Sequence, residues 1–121
     1  MTFKDAFGNK ANDAALHAEY AEAEKKFAVR LGASHLFIRR LLRADFLPYT
    51  SIREIVLENE YVDCPTSEFP FEGNVFRLYF SSDAPKPCVV EVDSIVKAER
   101  IRDAVSARAP QASVKGRVVR P

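Results

Sequence analysis

The stretch FLPYTSIREIVL, Phe46 to Leu57, decides how this chain is read. A strand-like run stops at Pro48, passes through Tyr49, Thr50 and Ser51, and resumes from Ile52 to Leu57. Proline fixes φ and has no N–H to give a ladder, so the chain must turn there. Three hydroxyl side chains in a row also raise the question of a nucleophile. Thr and Ser in a turn bond their own backbone, and no base lies near them in sequence. The stretch is therefore expected to be a structural corner between two strands, with the Tyr49 ring folded over the rim.

Upstream of this corner, Phe27, Val29 and Leu31 alternate with Ala28 and Arg30, and Gly32-Ala33-Ser34 signals a short turn. A second alternating run follows, so 27–31 and 35–42 are expected as a β-hairpin. A third strand covers about 43–47. Downstream, Ile52 to Glu60 is a fourth. Residues 62–73 hold two prolines, a glycine and three acids, and read as a long loop tethered by Phe69 and Phe71. In Asn74–Ser81, Phe76, Leu78 and Phe80 share one face. After the turn Asp83–Pro87, Cys88, Val90 and Val92 alternate with Val89, Glu91 and Asp93.

A helix is expected at each end of this run. Residues 12–26 are rich in Ala and Glu, with Asn12 as N-cap and Leu16, Tyr20, Ala23 and Phe27 on one stripe. The last helix, capped by Asp93 or Ser94, carries Ile95, Ala98, Ile101, Val105 and Ala109 on one face and stops before Pro110. Residues 1–11 read as a flexible arm, and 110–121 as a tail that adds an edge strand or stays mobile. The strand connections are too short for crossover helices, which predicts an antiparallel sheet. The expected class is α+β: a bent antiparallel sheet or partly open barrel with a C-terminal capping helix and an extra N-terminal helix.

At 121 residues, 47% of them hydrophobic and 29% charged, the chain suits one ordinary globular domain. The first ten residues contain no apolar h-region, and no apolar run is long enough to span a membrane, so a cytoplasmic location is expected. Cys64 and Cys88 are too few and too far apart for a zinc site. Cys88 reads as a small core residue.

The string KKFAVRLGASHLFIRRLLRADFLPYTSIREIVL, with FRLYF, VVEV and IVKAERIRDAVSARAP after it, resembles the pleckstrin-homology (PH)-like domains of small bacterial proteins. The resemblance runs over residues 27–109. It implies two bent antiparallel sheets closed at one end by a C-terminal helix, and a binding role for lipid, peptide or protein. Phosphoinositide-binding members place basic residues around the first hairpin loop and an Arg-x-Arg pattern on the second strand. Here that loop reads Leu31-Gly32-Ala33-Ser34-His35, with no Lys or Arg, and Arg39 and Arg40 are adjacent, so they are expected on opposite faces of the strand and the pattern is not met.

Charge layout carries the rest. Six basic residues and no acid lie between Lys25 and Arg43, while six acids follow between Glu54 and Glu72. Arg30, Arg39, Arg40 and Arg43 are the candidate partner- or anion-binding residues. The competing expectation is that the acidic and basic strands pair across the sheet. Glu54, Glu58 and Glu60 share one parity and suggest a solvated outer face rather than a metal site. His17 and His35 are the only histidines, and no G-x-S-x-G, H-E-x-x-H or glycine-rich phosphate loop is present. The expectation is a non-enzymatic binding or adaptor module recognising protein or peptide, with anionic lipid as the alternative ligand and a small enzyme as the third. No cofactor, metal or nucleic acid is expected; the edge strand and the amphipathic helix leave a homodimer open.

Overall fold

The computed structural model describes residues 1–62 and 73–119; the tether expected at Phe69 and Phe71, and Cys64, lie outside them. The described chain is an α+β fold of two mixed sheets and two helices, not a closed barrel. In order, the elements are β1 (Thr2–Lys4), β2 (Lys10–Ala11), α1 (Ala14–Glu22), β3 (Glu24–Lys26), β4 (Val29–Leu31), β5 (His35–Arg39) and β6 (Arg43–Pro48). A 3-10 turn (Tyr49–Ser51) leads to β7 (Glu54–Val62), β8 (Gly73–Ser81), β9 (Cys88–Val92), α2 (Ile95–Arg108) and β10 (Ser113–Val119). One sheet has the order β2-β1-β6-β5-β4-β3 and the other β10-β7-β8-β9.

The corner at Pro48 is where the chain leaves the first sheet for the second. Ser51 Oγ donates to the Pro48 carbonyl at 2.8 Å, and the Ile52 N–H closes onto Tyr49 O at 3.2 Å. Tyr49 does not sit over a rim. It is buried, and its O–H donates to Gly32 O at 2.8 Å, tying the corner to the turn between β4 and β5. Burial pushes its pKa up to about 12.

The main core lies between the two sheets. Val29, Leu31, Leu36, Ile38 and Leu47 meet Ile55, Leu57, Leu78, Phe80 and Val90, and α2 adds Ala98, Ile101, Val105 and Ala109. Those four α2-side positions are fully buried, whereas Ile95, expected on the same stripe, is 41% exposed. Ser94 caps the helix by accepting from the N–H groups of Val96 and Lys97. A second cluster on the far face of the first sheet joins Phe3, Leu16, Phe37 and Ala44. It seats α1 on its own sheet.

A carboxylate reinforces that seat. Glu19 of α1 accepts from the N–H groups of Ser34 at 2.9 Å and His35 at 2.8 Å, and its second oxygen lies 2.8 Å from His35 Nδ1. Burial raises the Glu19 pKa, but His35 and the Ser34 amide outweigh it and hold the carboxyl below its usual range. Gly32 is required here for space: a Cβ would fall onto Glu19 Oε2 and 2.8 Å from a ring carbon of Phe37.

Four expectations are corrected. Residues 1–11 are not a flexible arm; β1 and β2 form a hairpin, with Phe3 fully buried. The first helix does not run over 12–26. Asp13, not Asn12, caps it by accepting from Leu16 N at 2.8 Å, and Glu24–Lys26 pair with β4 instead; a ladder overrides the helix propensity of this Glu-Lys run. The hairpin so made turns on Phe27 and Ala28, with Phe27 at φ 55, a position that usually takes Gly or Asn, so no turn signal marked it. Finally, the sheets are mixed rather than antiparallel. β1 runs parallel to β6 and β10 parallel to β7; the intervening elements supply the long crossovers that parallel pairs need.

Candidate functional site at the β5–β6 hairpin end

β5 and β6 pair from His35–Pro48 to Arg39–Ala44, and the Arg40 N–H donates to Arg43 O at 2.8 Å. This closes a tight turn with Leu41 and Leu42 at its tip. They are 89% and 84% exposed, the most exposed large apolar side chains among the described residues. Folding gives no reason for leucine here: turn tips favour Gly, Asn, Asp and Pro, and these two bury almost nothing. The pair is flanked by Arg39, Arg40 and Arg43.

The four arginines singled out by the charge pattern do not form one basic face. Arg30 and Arg39 lie on the α1 side of the first sheet. The Arg30 guanidinium stacks 4.6 Å from the Tyr20 ring centroid, and Arg39 reaches the Tyr20 hydroxyl at 3.5 Å. Arg40 and Arg43 turn to the opposite side and share Asp45, at 2.9 and 2.8 Å. Arg40 also donates to the carbonyl of Val89 at 2.9 Å, joining the hairpin to β9 of the other sheet. Burial pushes the Asp45 pKa up, but the bonds from Arg43 and Arg40 outweigh it, and the carboxyl is held below its ordinary value.

Beside this cluster is a hollow of about 200 Å³ lined by Lys4, Lys86, Arg40 and Arg43, with Asp5 and Asp45 as its acids. Cys88 also lines it. It packs against the main core as expected, and burial first, then Asp45, push its thiol pKa up, away from the thiolate a nucleophile needs.

The acidic strand β7 does not pair with the basic run of residues 25–43; its neighbour on one side is the basic tail strand β10. It lies in the other sheet, where Glu54 meets Lys115 at 2.9 Å and Glu60 meets Arg77 at 2.9 Å. Glu58 is not on a solvated face: it is only 6% exposed. A single layer of side chains covers it. Tyr79 O–H donates to it at 2.7 Å and Arg117 Nε at 3.0 Å, and Arg77 lies at 3.5 Å. Burial raises its pKa, and Tyr79, Arg117 and Arg77 together bring it below the carboxylate range. The charges of this strand are consumed within the fold.

The remaining candidates are also placed. His17 Nε2 lies 2.6 Å from Asn12 Oδ1, His35 is held by Glu19, and Ser51 gives its hydroxyl to Pro48 O, so neither histidine is bonded to Ser51. Among the described residues no group of three or more His, Cys, Asp or Glu side chains could hold a metal.

Sequence reasoning missed Leu41, Leu42, Lys4 and Lys86. The two leucines continued the alternating run 35–42, and nothing between Arg39 and Ala44 is a turn former. The available signal was the adjacency of two leucines inside RRLLR, which breaks strand alternation. No protein-family model matches this chain, and no curated protein or solved structure is significantly similar to it.

Proposed function

We propose that this protein is a non-enzymatic binding module that docks on an anionic membrane surface through the β5–β6 hairpin end. The observation that carries this reading is the exposed Leu41–Leu42 tip between Arg39, Arg40 and Arg43. Leucines lower their free energy by entering the acyl boundary, and the arginines beside them remain at the headgroup level. The Lys4–Lys86 hollow adds cations next to the same end. No described helix is long and apolar enough to cross a membrane, and the tip supports attachment from one side. The resemblance to PH-like domains agrees with a binding role.

Vesicle sedimentation tests it, with phosphatidylcholine vesicles made with and without phosphatidylserine. Binding is expected only to the anionic vesicles, weakening with salt. Burying one leucine contributes about 1.5–3 kcal/mol, so Leu41→Asp/Leu42→Asp is expected to lower the apparent affinity on the order of 100-fold or more. Each of Arg39→Glu and Arg43→Glu is expected to lower it several-fold, at about 1 kcal/mol per cation. Wild-type protein that ignores anionic vesicles at low salt would overturn the reading.

Recognition of a protein or peptide, the first expectation from sequence, has one observation in its favour. A groove of about 570 Å³ is lined by Phe27, Ala28, Asn74, Val92 and Lys97. Phe27 sits there with the positive φ of 55, a strained backbone for a bulky residue. Phe27→Gly relieves the strain and removes the ring. If the groove binds, that variant is more stable yet loses a peptide ligand selected from a displayed library; unchanged capture argues against the groove.

A further inference from the structure

Four strands end the two sheets: β2 and β3 in one, β9 and β10 in the other. Three of these edges are short or blocked. β2 has two residues. β3 has three, all charged. β9 has its Val89 carbonyl taken by Arg40. β10 differs. It is a seven-residue strand paired with β7 along its whole length on one side, and no described strand covers the other. Long uncovered edges are templates for pairing with another chain.

The sequence of β10 is symmetric about its centre. Val114-Lys115-Gly116-Arg117-Val118 reads valine, cation, glycine, cation, valine in both directions. Antiparallel pairing of two such strands about Gly116 sets each Val114 opposite a Val118. Both valines lie in the same row, in register with Ile55 and Asn59 of β7, and both are open, at 45% and 62% exposure. The side chains of Lys115 and Arg117 fall opposite one another in this register, which would ordinarily repel. Each, however, is already held by a carboxylate of β7: Lys115 by Glu54 at 2.9 Å and Arg117 by Glu58 at 3.0 Å. The usual protection of an edge by lysine and arginine is thereby cancelled.

A groove of about 310 Å³ next to this edge, between β10 and α2, is lined by Leu57, Ile95, Gly116 and Val118. It also contains Asn59, whose buried Oδ1 has no hydrogen-bond partner; buried polar atoms of this kind are rare in a finished interior. From these observations we propose that the occupant of the β10 edge is a second copy of this chain. The two copies are joined by antiparallel β10–β10 pairing centred on Gly116, giving one eight-stranded sheet across a two-fold axis.

Two measurements on the full chain test this. Sedimentation equilibrium over a wide concentration range is expected to show a monomer–dimer equilibrium. Val114→Lys/Val118→Lys is expected to shift it at least ten-fold towards monomer, with a circular-dichroism melt unchanged at a dilution where the wild type is also monomeric, because both positions are exposed. In a Cys64→Ser/Cys88→Ser background, Gly116→Cys places two thiols across the axis at the distance a disulfide spans, and mild oxidation is expected to trap a covalent dimer. Lys25→Cys on the β3 edge is the control and is expected to stay monomeric. A chain that is monomeric at every concentration overturns the proposal. So does a dimer insensitive to the valine substitutions, or one in which the Lys25→Cys control crosslinks as readily as Gly116→Cys.

Discussion

The β5–β6 hairpin end and the outer face of the β7–β8–β10 sheet handle arginine in opposite ways. On the sheet face, Arg77 and Arg117 converge on Glu58 and Glu60, and nearly all access to Glu58 is lost. At the hairpin end, two arginines share a single carboxylate, Asp45, and a third bonds, among the described residues, a neutral hydroxyl and a backbone carbonyl. The same residue type thus builds structure in one place and leaves positive charge in excess in the other. A charge count along the chain cannot separate the two, because only the count of carboxylates within reach decides it.

The comparison is broken most strongly at the tip. Leu41→Asp/Leu42→Asp is expected to remove vesicle binding by the 100-fold or more argued above and to leave the melting temperature unchanged, since neither side chain is buried. Glu58→Gln is expected to do the reverse. It leaves Arg77, Arg117 and the Tyr79 hydroxyl short of an ionised acceptor, at a cost of about 1–3 kcal/mol, read by urea unfolding, with vesicle binding intact. A loss of vesicle binding without unfolding would dissolve the distinction between the two regions.

Smaller effects sharpen it. Asp45→Asn releases Arg40 and Arg43 from their shared partner. A cost of about 1 kcal/mol in stability is expected together with tighter binding to anionic vesicles. Acid has the same consequence. The Asp45 carboxyl is held below its unfolded value, so its contribution to stability is complete above the unfolded pKa and is lost as pH falls through the folded one. Asp45→Asn should therefore flatten the acid limb of the stability curve below about pH 4 and leave neutral pH behaviour to the other groups. Smallest is Tyr49→Phe, which strands the Gly32 carbonyl at about 1 kcal/mol; because burial pushes the Tyr49 pKa up to about 12, this variant should lose part of the 295 nm absorbance that the wild type gains only in strong alkali.

Much of the fold was legible because its signals are local. Pro48 marked the corner between two strands, period-two alternation marked β8 and β9, and Ser94 with the Ala98–Ile101–Val105 stripe marked α2. What escaped depends on distant partners. Glu24–Lys26 look helical until β4 offers an edge. Thr2–Lys4 look like an arm until β6, some forty residues on, accepts them in parallel. At the candidate site, the pleat already sent the adjacent Arg39 and Arg40 to opposite faces, but the pairing of Arg43 with Arg40 on Asp45 follows from the Arg40–Arg43 turn, which carries no turn residue.

The Glu19 carboxylate has a consequence for how the chain can be cut. It fills the two main-chain donors of the turn before β5, so that turn cannot receive an anion from outside while α1 is docked. It also makes the first helix a permanent fitting of the hairpin rather than a detachable extension. A chain begun at Glu24 would uncover Phe37 and leave the amides of Ser34 and His35 without their carboxylate. Truncation at the helix boundary, the natural cut for isolating residues 27–109, would therefore remove part of the hairpin's own scaffold.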